Sequence, residues 1–332
     1  LKQGLDMIQG LKDDGEQIEL DLLDVSEMRD DAYAVMVAGL GSPVAMLDPD
    51  MPRFGPDAVF AYRAFQKAFA AEGKKLEYLY SGEMGGFNTF TPMLVAILSD
   101  KDPAKRIKFV DADGNGRAVP ELNTTINAFY DHPPKPMGMG SPYGDEIIVY
   151  PTTDHSGEQI ARQMCMLYNM RIGFATWGMN KEEITNILDV GCVTKAQKIG
   201  KAILTAKETG SDVMDELKKA FEVREFCRGT IEKLDLRAEG GFDFGTTVIK
   251  GDDGHTYYID FKNENLILRD EKGDTIMTAP EGIGMIDLNN CFPLTNADTK
   301  EGMRVLVTMT PAHPNWWDED HKAYTCWLPE LK

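Results

Sequence analysis

Apolar and polar positions follow two different rhythms along this chain. Up to about residue 222, helical and strand-like periods alternate. Leu5, Ile8 and Leu11 recur at three-residue spacing and Gly15 follows, which predicts a helix over residues 1–15 with a glycine C-cap. Ile18–Leu23 alternates as a strand does. Tyr33–Gly39 is a continuous apolar run, the pattern of a buried strand, and it leads into the turn Gly39-Leu-Gly-Ser-Pro43. Pro56–Glu72 sets Val59, Phe60, Phe65 and Phe69 on or near one helical face, closed by Gly73. Leu76–Tyr80 reads as a strand, Thr91–Leu98 as a helix and Arg106–Val110 as a strand. After a Pro- and Gly-rich link over Pro133–Pro142, Glu146–Tyr150 reads as another strand. Residues 156–176 read as one helix with Ser156 as N-cap, followed by helices over Lys181–Asp189, Thr194–Thr209 and Asp212–Phe221.

The rhythm changes at about Arg228. Short alternating runs appear at Thr230–Leu234, Thr246–Lys250, Thr256–Phe261, Leu266–Arg269, Thr275–Met277 and Arg304–Met309. Turns such as Asp252-Asp-Gly254 separate them, which predicts a compact β module of barrel or sandwich type. The expected organisation is α/β: a mainly parallel sheet with flanking helices over 1–222, a smaller barrel-like all-β domain over 223–310, and a tail over 311–332. That tail carries Trp316, Trp317 and Trp327 and is expected to pack back on the body. In open α/β sheets ligands sit at the carboxyl ends of strands. Gly39, Glu83 and Asp111 each follow a strand-like run, so they are expected to meet at one rim.

Composition narrows the function classes. The chain has 332 residues, 42% of them hydrophobic, and a formal net charge of −19. That charge argues against nucleic acid and anionic membrane surfaces, which need a basic patch. No apolar run approaches the roughly 20 residues that span a bilayer. The opening Leu1-Lys-Gln-Gly shows no signal peptide and no initiator Met, so further sequence is expected upstream. Five scattered cysteines without CxxC spacing fit reduced thiols in a cytoplasmic protein better than structural zinc.

Candidate chemistry concentrates between residues 79 and 123. Leu79-Tyr-Ser-Gly-Glu-Met-Gly-Gly-Phe-Asn88 and Phe109-Val-Asp-Ala-Asp-Gly-Asn-Gly-Arg-Ala-Val-Pro-Glu121 set Glu83, Asp111, Asp113, Arg117 and Glu121 among glycines. Charges that close to apolar strands are costly unless paired, solvated or functional. Glu83 suits a general base on a strand-end loop; pairing with Arg117 is the other reading of it. Arg117 suits a carboxylate or imide oxygen, which its planar fork fits. Asp111-Ala-Asp-Gly-Asn-Gly116 copies the start of an EF-hand loop, but the closing position holds Leu122 instead of Glu, which argues against calcium. His155 stands at a helix start; His313 and His321 lack metal spacing. Cys192 at a helix start reads more readily as a small buried thiol than as a nucleophile. Phe242-Asp-Phe-Gly245 has the letters of a kinase motif without its companions.

Several segments resemble the S-methyl-thiohydantoin desulfurase family, formerly a domain of unknown function associated with hydantoinase/oxoprolinase proteins. The matching pieces are Gly82-Glu-Met-Gly-Gly-Phe-Asn88, Val110-Asp-Ala-Asp-Gly-Asn-Gly-Arg-Ala-Val-Pro-Glu121, Val193–Gly200, Gly240-Gly-Phe242 and Phe261-Lys-Asn-Glu264. The resemblance implies an α/β domain plus a smaller β domain. It also implies a hydrolase-type enzyme that replaces a sulfur substituent on a hydantoin-like cyclic amide by water oxygen. The resemblance places a glycine run just before Leu1, and this chain departs from the family in having Gly191-Cys192 where relatives tend to show Gly-Thr.

From the density of acids on these strand-end loops, Glu83 or Asp111 is expected to activate water and Asp113 to serve as acid or orienter. Arg117, with the Gly85 and Gly86 amides, holds the imide oxygen, and Asn88, Glu121 and His155 complete the substrate side. The alternatives are a divalent metal held by Glu83, Asp111, Asp113 or His155, Mg or Mn on oxygens and Zn with His, or a non-catalytic subunit of a hydantoinase/oxoprolinase-like partner. A homo-oligomer is expected.

Overall fold

The computed structural model describes residues 2–41, 50–130, 132–239 and 242–329. The expected Ser42-Pro43 turn, Gly240 and Gly241, and the last three residues of the tail lie outside the described residues. Spatial proximity groups the chain into two compact units, Leu1–Val193 and Thr194–Lys332.

The first unit is built on strands β1 (Leu22–Leu23), β2 (Tyr33–Gly41), β3 (Leu76–Ser81), β4 (Lys108–Asp113), β5 (Met137–Gly140), β6 (Glu146–Val149), β7 (Arg171–Asn180) and β8 (Asp189–Val190). They form one eight-stranded sheet in the order β1-β4-β3-β2-β7-β5-β6, with β8 beside β4. β1, β4, β3 and β2 run parallel to one another. β7, β5 and β6 continue the sheet antiparallel, and β8 pairs antiparallel with β4. The sheet is therefore mixed, with a parallel core, where a mainly parallel one was expected.

β7 is the source of that difference, because residues 156–176 are not one helix. Helix α4 (Asp154–Leu167) ends before it, and its N-cap is Thr153, whose side chain accepts from Ser156 N at 3.1 Å. Asn169 and Met170 then take left-handed backbone angles, φ 56° and 63°, which stop the helix. An apolar run of this kind fits a buried strand or a buried helix equally well by periodicity.

Helices α1 (Lys2–Asp13), α2 (Pro56–Ala71) and α3 (Thr91–Ser99) belong to the same unit. α2 and α3 bring Ala58, Phe65, Leu94 and Ile97 onto Val35, Val37, Leu79 and Phe109. α2 lies close to the sheet because glycines floor it. A Cβ on Gly140 would fall 2.1 Å from the Asp57 carbonyl oxygen, and one on Gly173 2.4 Å from it. Inside this contact Arg171 Nε donates to Asp57 Oδ2 at 2.9 Å, an ion pair fully out of solvent. α5 (Lys181–Ile187) follows β7, with Asn180 as its N-cap.

Helix α6 (Cys192–Thr209) runs into the second unit, which also holds α7 (Val213–Ala220). Its strands are β9 (Arg224–Glu239), β10 (Phe242–Gly251), β11 (Thr256–Lys262), β12 (Glu264–Arg269), β13 (Thr275–Thr278), β14 (Gly282–Asp287) and β15 (Arg304–Thr310). They make a seven-stranded antiparallel sheet ordered β13-β12-β11-β10-β9-β15-β14. The sheet curls into a half-barrel, so that Asn265 Nδ2 on β12 reaches Ile283 O on β14 at 3.0 Å. Ile231, Ile249, Ile259, Leu268 and Val305 fill its inside. α6 and α7 cover a separate apolar patch, where Ala206, Met214 and Leu217 meet Ile286 and Leu306. In the tail Trp316 and Trp327 are buried with ring centroids 5.7 Å apart, while Trp317 is exposed.

Candidate functional site

The site lies in the first unit, where the carboxyl ends of the parallel neighbours β3 and β4 come side by side. Ser81 is in register with Asp113, Gly114 N donates to Ser81 O at 3.1 Å, and Asn115 Nδ2 donates to Gly82 O at 2.8 Å. The loop after β3 and the loop after β4 are thereby seamed together. Asn115 is committed to this seam, since its Oδ1 also accepts from Ile126 N at 2.9 Å.

Glu83 stands half-buried just past β3. Asn88 Nδ2 donates to its Oε1 at 2.6 Å and Val119 N donates to its Oε2 at 2.8 Å. Burial raises its carboxyl above the usual range; those two hydrogen bonds, then the charges of Arg117 and Arg162, pull it back part of the way. Asn88 also accepts from Gly39 N at 2.8 Å, so the end of β2 joins the same rim. Arg117 is half-buried, and its Nε donates to Ala118 O at 3.0 Å. Gly85 N donates within its own loop to Thr89 Oγ1 at 3.0 Å, and Gly86 O accepts from Gly4 N of α1 at 3.2 Å.

The two aspartates of β4 lie deeper. Asp111 is 6% exposed; its Oδ1 accepts from Val193 N at 2.8 Å, and its backbone oxygen from Gly191 N at 2.9 Å. It thus caps the start of α6, where a carboxylate meets the positive end of the helix. Asp113 is wholly buried, with Oδ1 accepting from the backbone of Asn115 and Gly116 and Oδ2 without a partner. Burial drives its carboxyl well upward; the two backbone donors oppose this, and Asp189 and Glu83 add to it by like charge. The net direction favours the protonated form of Asp113. Cys192, 3% exposed, has its thiol pushed up by burial and then by Asp113, Asp189 and Asp111, which disfavours the thiolate a nucleophile needs.

Glu121 begins the short 3-10 turn Leu122–Thr124, where its N–H donates to Thr124 Oγ1 at 3.2 Å. His155 lies exposed in the first turn of α4. The structure does not gather Glu83, Asp111, Asp113 and His155 into a ligand set. Among the described residues no group of three or more His, Cys, Asp or Glu side chains is placed to hold a metal ion. No helix among them is long and apolar enough to cross a membrane.

Two residues of α4 reach the site without having been singled out in the sequence. Glu158 Oε2 accepts from Leu122 N at 3.0 Å, and Arg162 Nη2 donates to Pro120 O at 3.0 Å. They also pair with each other and so hold the 117–122 loop against α4. Their spacing is an ordinary i, i+4 surface pair, which carries no signal of a loop clamp.

Comparisons with known proteins agree with this architecture. The family model described as "S-Me-THD-like, N-terminal domain" matches residues 2–151, and "S-Me-THD-like, C-terminal domain" matches residues 152–327. No curated protein matches the chain. A crystal structure of a protein from Chromobacterium violaceum is similar over 94% of this chain and 84% of that one, at 23% identity and a TM-score of 0.76. At that identity the likeness is one of fold.

Proposed function

Because this chain belongs to the S-Me-THD-like family, we propose that it hydrolyses an S-methyl-thiohydantoin or closely related cyclic amide at the rim formed by β3 and β4. The observation that carries this reading is Glu83, a half-buried residue whose carboxylate is fixed at both oxygens by Asn88 and Val119 N. A base with raised basicity and fixed orientation suits water activation.

The chemistry follows from the ring. Carbon 2 carries the S-methyl group and is doubly bonded to a ring nitrogen, so it is electrophilic. Glu83 takes a proton from water as the oxygen bonds to that carbon. Arg117 holds the ring imide oxygen as negative charge develops on the ring; such preorganised contacts are worth about 3–4 kcal/mol elsewhere. The C–S bond then breaks, and methanethiolate leaves with a proton from Asp113, which regains one when Glu83 gives up the proton it took from water. The products are a hydantoin and methanethiol, and no oxidant or reductant is consumed. Asp111, tied to α6, serves position in this scheme and leaves the base role to Glu83.

The test is direct. Wild-type protein is incubated with 2-methylthiohydantoin, and methanethiol and the ring product are followed. Glu83→Gln is expected to lower turnover by about 100-fold or more. Wild-type-like turnover by that variant rejects Glu83 as the base, and absence of turnover in the wild type rejects the reading.

A further inference from the structure

One buried side chain beside this site has no partner at all. Asn127 is 0% exposed, and neither its Oδ1 nor its Nδ2 meets a hydrogen-bonding group. An unmade hydrogen bond on a buried amide is destabilising, and native proteins rarely leave a whole carboxamide unsatisfied. Its place is well defined. The preceding residue is bolted to the seam by Asn115, through Ile126 N and Gly82 O. A Cβ on Gly114 would fall 3.4 Å from Asn127 Nδ2 and 2.7 Å from Gly82 O. The carboxamide therefore lies against the glycine seam, one residue along from Asp113, whose Oδ2 is likewise buried and without a partner.

A carboxamide presents a donor beside an acceptor. Its complement is the edge of a cyclic amide or ureide, where a ring N–H adjoins a ring C=O. The two edges meet in a pair of parallel hydrogen bonds.

We propose that Asn127 is the specificity-determining residue of this site: it takes the N–H/C=O edge of a five-membered cyclic ureide in two hydrogen bonds, with Asp113 Oδ2 as a third polar partner. This rests on the function proposed above and adds how the ring is recognised. Because Asn127 is wholly buried, the proposal requires the segment 122–129 to lift from Gly114 for the ring to reach it. Among the ties of that segment are the bonds from Leu122 N to Glu158 and from Ile126 N to Asn115. The binding energy of the ring then offsets the cost of the unsatisfied amide, which is the ordinary exchange of stability for function at a binding site.

Titration calorimetry with hydantoin and with 1,3-dimethylhydantoin, which lacks ring N–H, tests this on the full chain. Wild type is expected to bind hydantoin at least tenfold more tightly than the dimethyl compound. Asn127→Leu is expected to weaken hydantoin by tenfold or more while its Tm stays level or rises, because an orphaned amide has been removed. A merely structural Asn127 would instead lower the Tm and leave the Kd unchanged. Equal binding of the two rings by wild type, unchanged hydantoin affinity in Asn127→Leu, or no hydantoin binding at all overturns the proposal. If Asn127→Leu fails to fold, Asn127→Asp and the two-ring comparison on wild type decide. Turnover is read separately. Turnover with Asn127-independent binding rejects this inference alone, and Asn127-dependent binding without turnover rejects the hydrolytic reading alone.

Discussion

Asn88 locks Glu83 to the end of a neighbouring strand. Its Nδ2 lies 2.6 Å from Glu83 Oε1, and the same carboxamide pairs with Gly39 in both directions, accepting from its N at 2.8 Å and donating to its O at 3.2 Å. β2 and β3 are parallel neighbours, so one side chain bridges the carboxyl ends of both. The position of the proposed base therefore depends on a residue that need not touch substrate.

Asn88→Leu is predicted to lower kcat by about tenfold or more, since hydrogen bonds to charged groups are worth about 1.5–3 kcal/mol. The pH profile identifies the group. The Asn88 bond lowers the Glu83 carboxyl, so its loss raises it. Because the base works deprotonated, the acidic limb of kcat/KM should move to higher pH. A limb that stays in place would mean that Glu83 is not the group that sets it.

Asp113→Asn is predicted to change how stability depends on pH. The folded-state carboxyl is raised well above its ordinary value. Its contribution is thus fully present below the unfolded value of about 3.9 and is lost as pH rises toward the folded one. In that window the native state holds the extra proton, and stability falls by up to about 1.4 kcal/mol per pH unit. Asparagine keeps the acceptor for the Asn115 and Gly116 amides and carries no proton to lose. Urea unfolding from pH 4 to 8 should show a flatter profile in the variant. Parallel profiles would show that Asp113 does not hold that proton.

The parallel core and the acidic loops were legible because their signals are local. A buried apolar run followed by glycine and acid is how a strand delivers a loop to a sheet edge, and Glu83 stands just past β3 as that pattern has it, whereas Asp111 and Asp113 belong to β4 itself, which continues past the expected end at Val110. Asp111 was legible as a position but not as a helix cap, because Val193 is distant in sequence. β7 was hidden because a fully buried strand loses the two-residue alternation that distinguishes it. β5, Met137–Gly140, was hidden inside a link rich in proline and glycine; those glycines serve the close approach of α2. Asn127 could not be found at all. Nothing in Thr125-Ile-Asn-Ala-Phe129 marks a carboxamide that the fold leaves unsatisfied.

Glu158→Ala is predicted to loosen the rim without unfolding the protein. It leaves Leu122 N unpaired and removes the carboxylate that Arg162 bonds, while Arg162 also holds Pro120 O. An unsatisfied buried amide costs about 1–3 kcal/mol, concentrated on this loop. Hydrogen exchange over residues 117–124 should quicken by tenfold or more, with kcat/KM falling alongside it. Unchanged exchange there would refute the clamp.

The ion pair between Asp57 and Arg171 offers a test of what holds α2 on the sheet. Both side chains are essentially without exposure, and one bond of 2.9 Å joins them. Charges taken that far from water are stable mainly because they face each other, so removing one strands the other. Asp57→Leu alone is predicted to lower stability by about 3–5 kcal/mol by leaving the guanidinium uncompensated. Arg171→Met alone should cost less, because a lone buried carboxyl can take up a proton. Asp57→Leu combined with Arg171→Met replaces both charges with apolar groups and should recover much of the loss, giving a double-mutant coupling of about 1–3 kcal/mol in urea unfolding. Strictly additive losses would instead assign the cost to misfit against Gly140 and Gly173, where α2 leaves no room for a new shape.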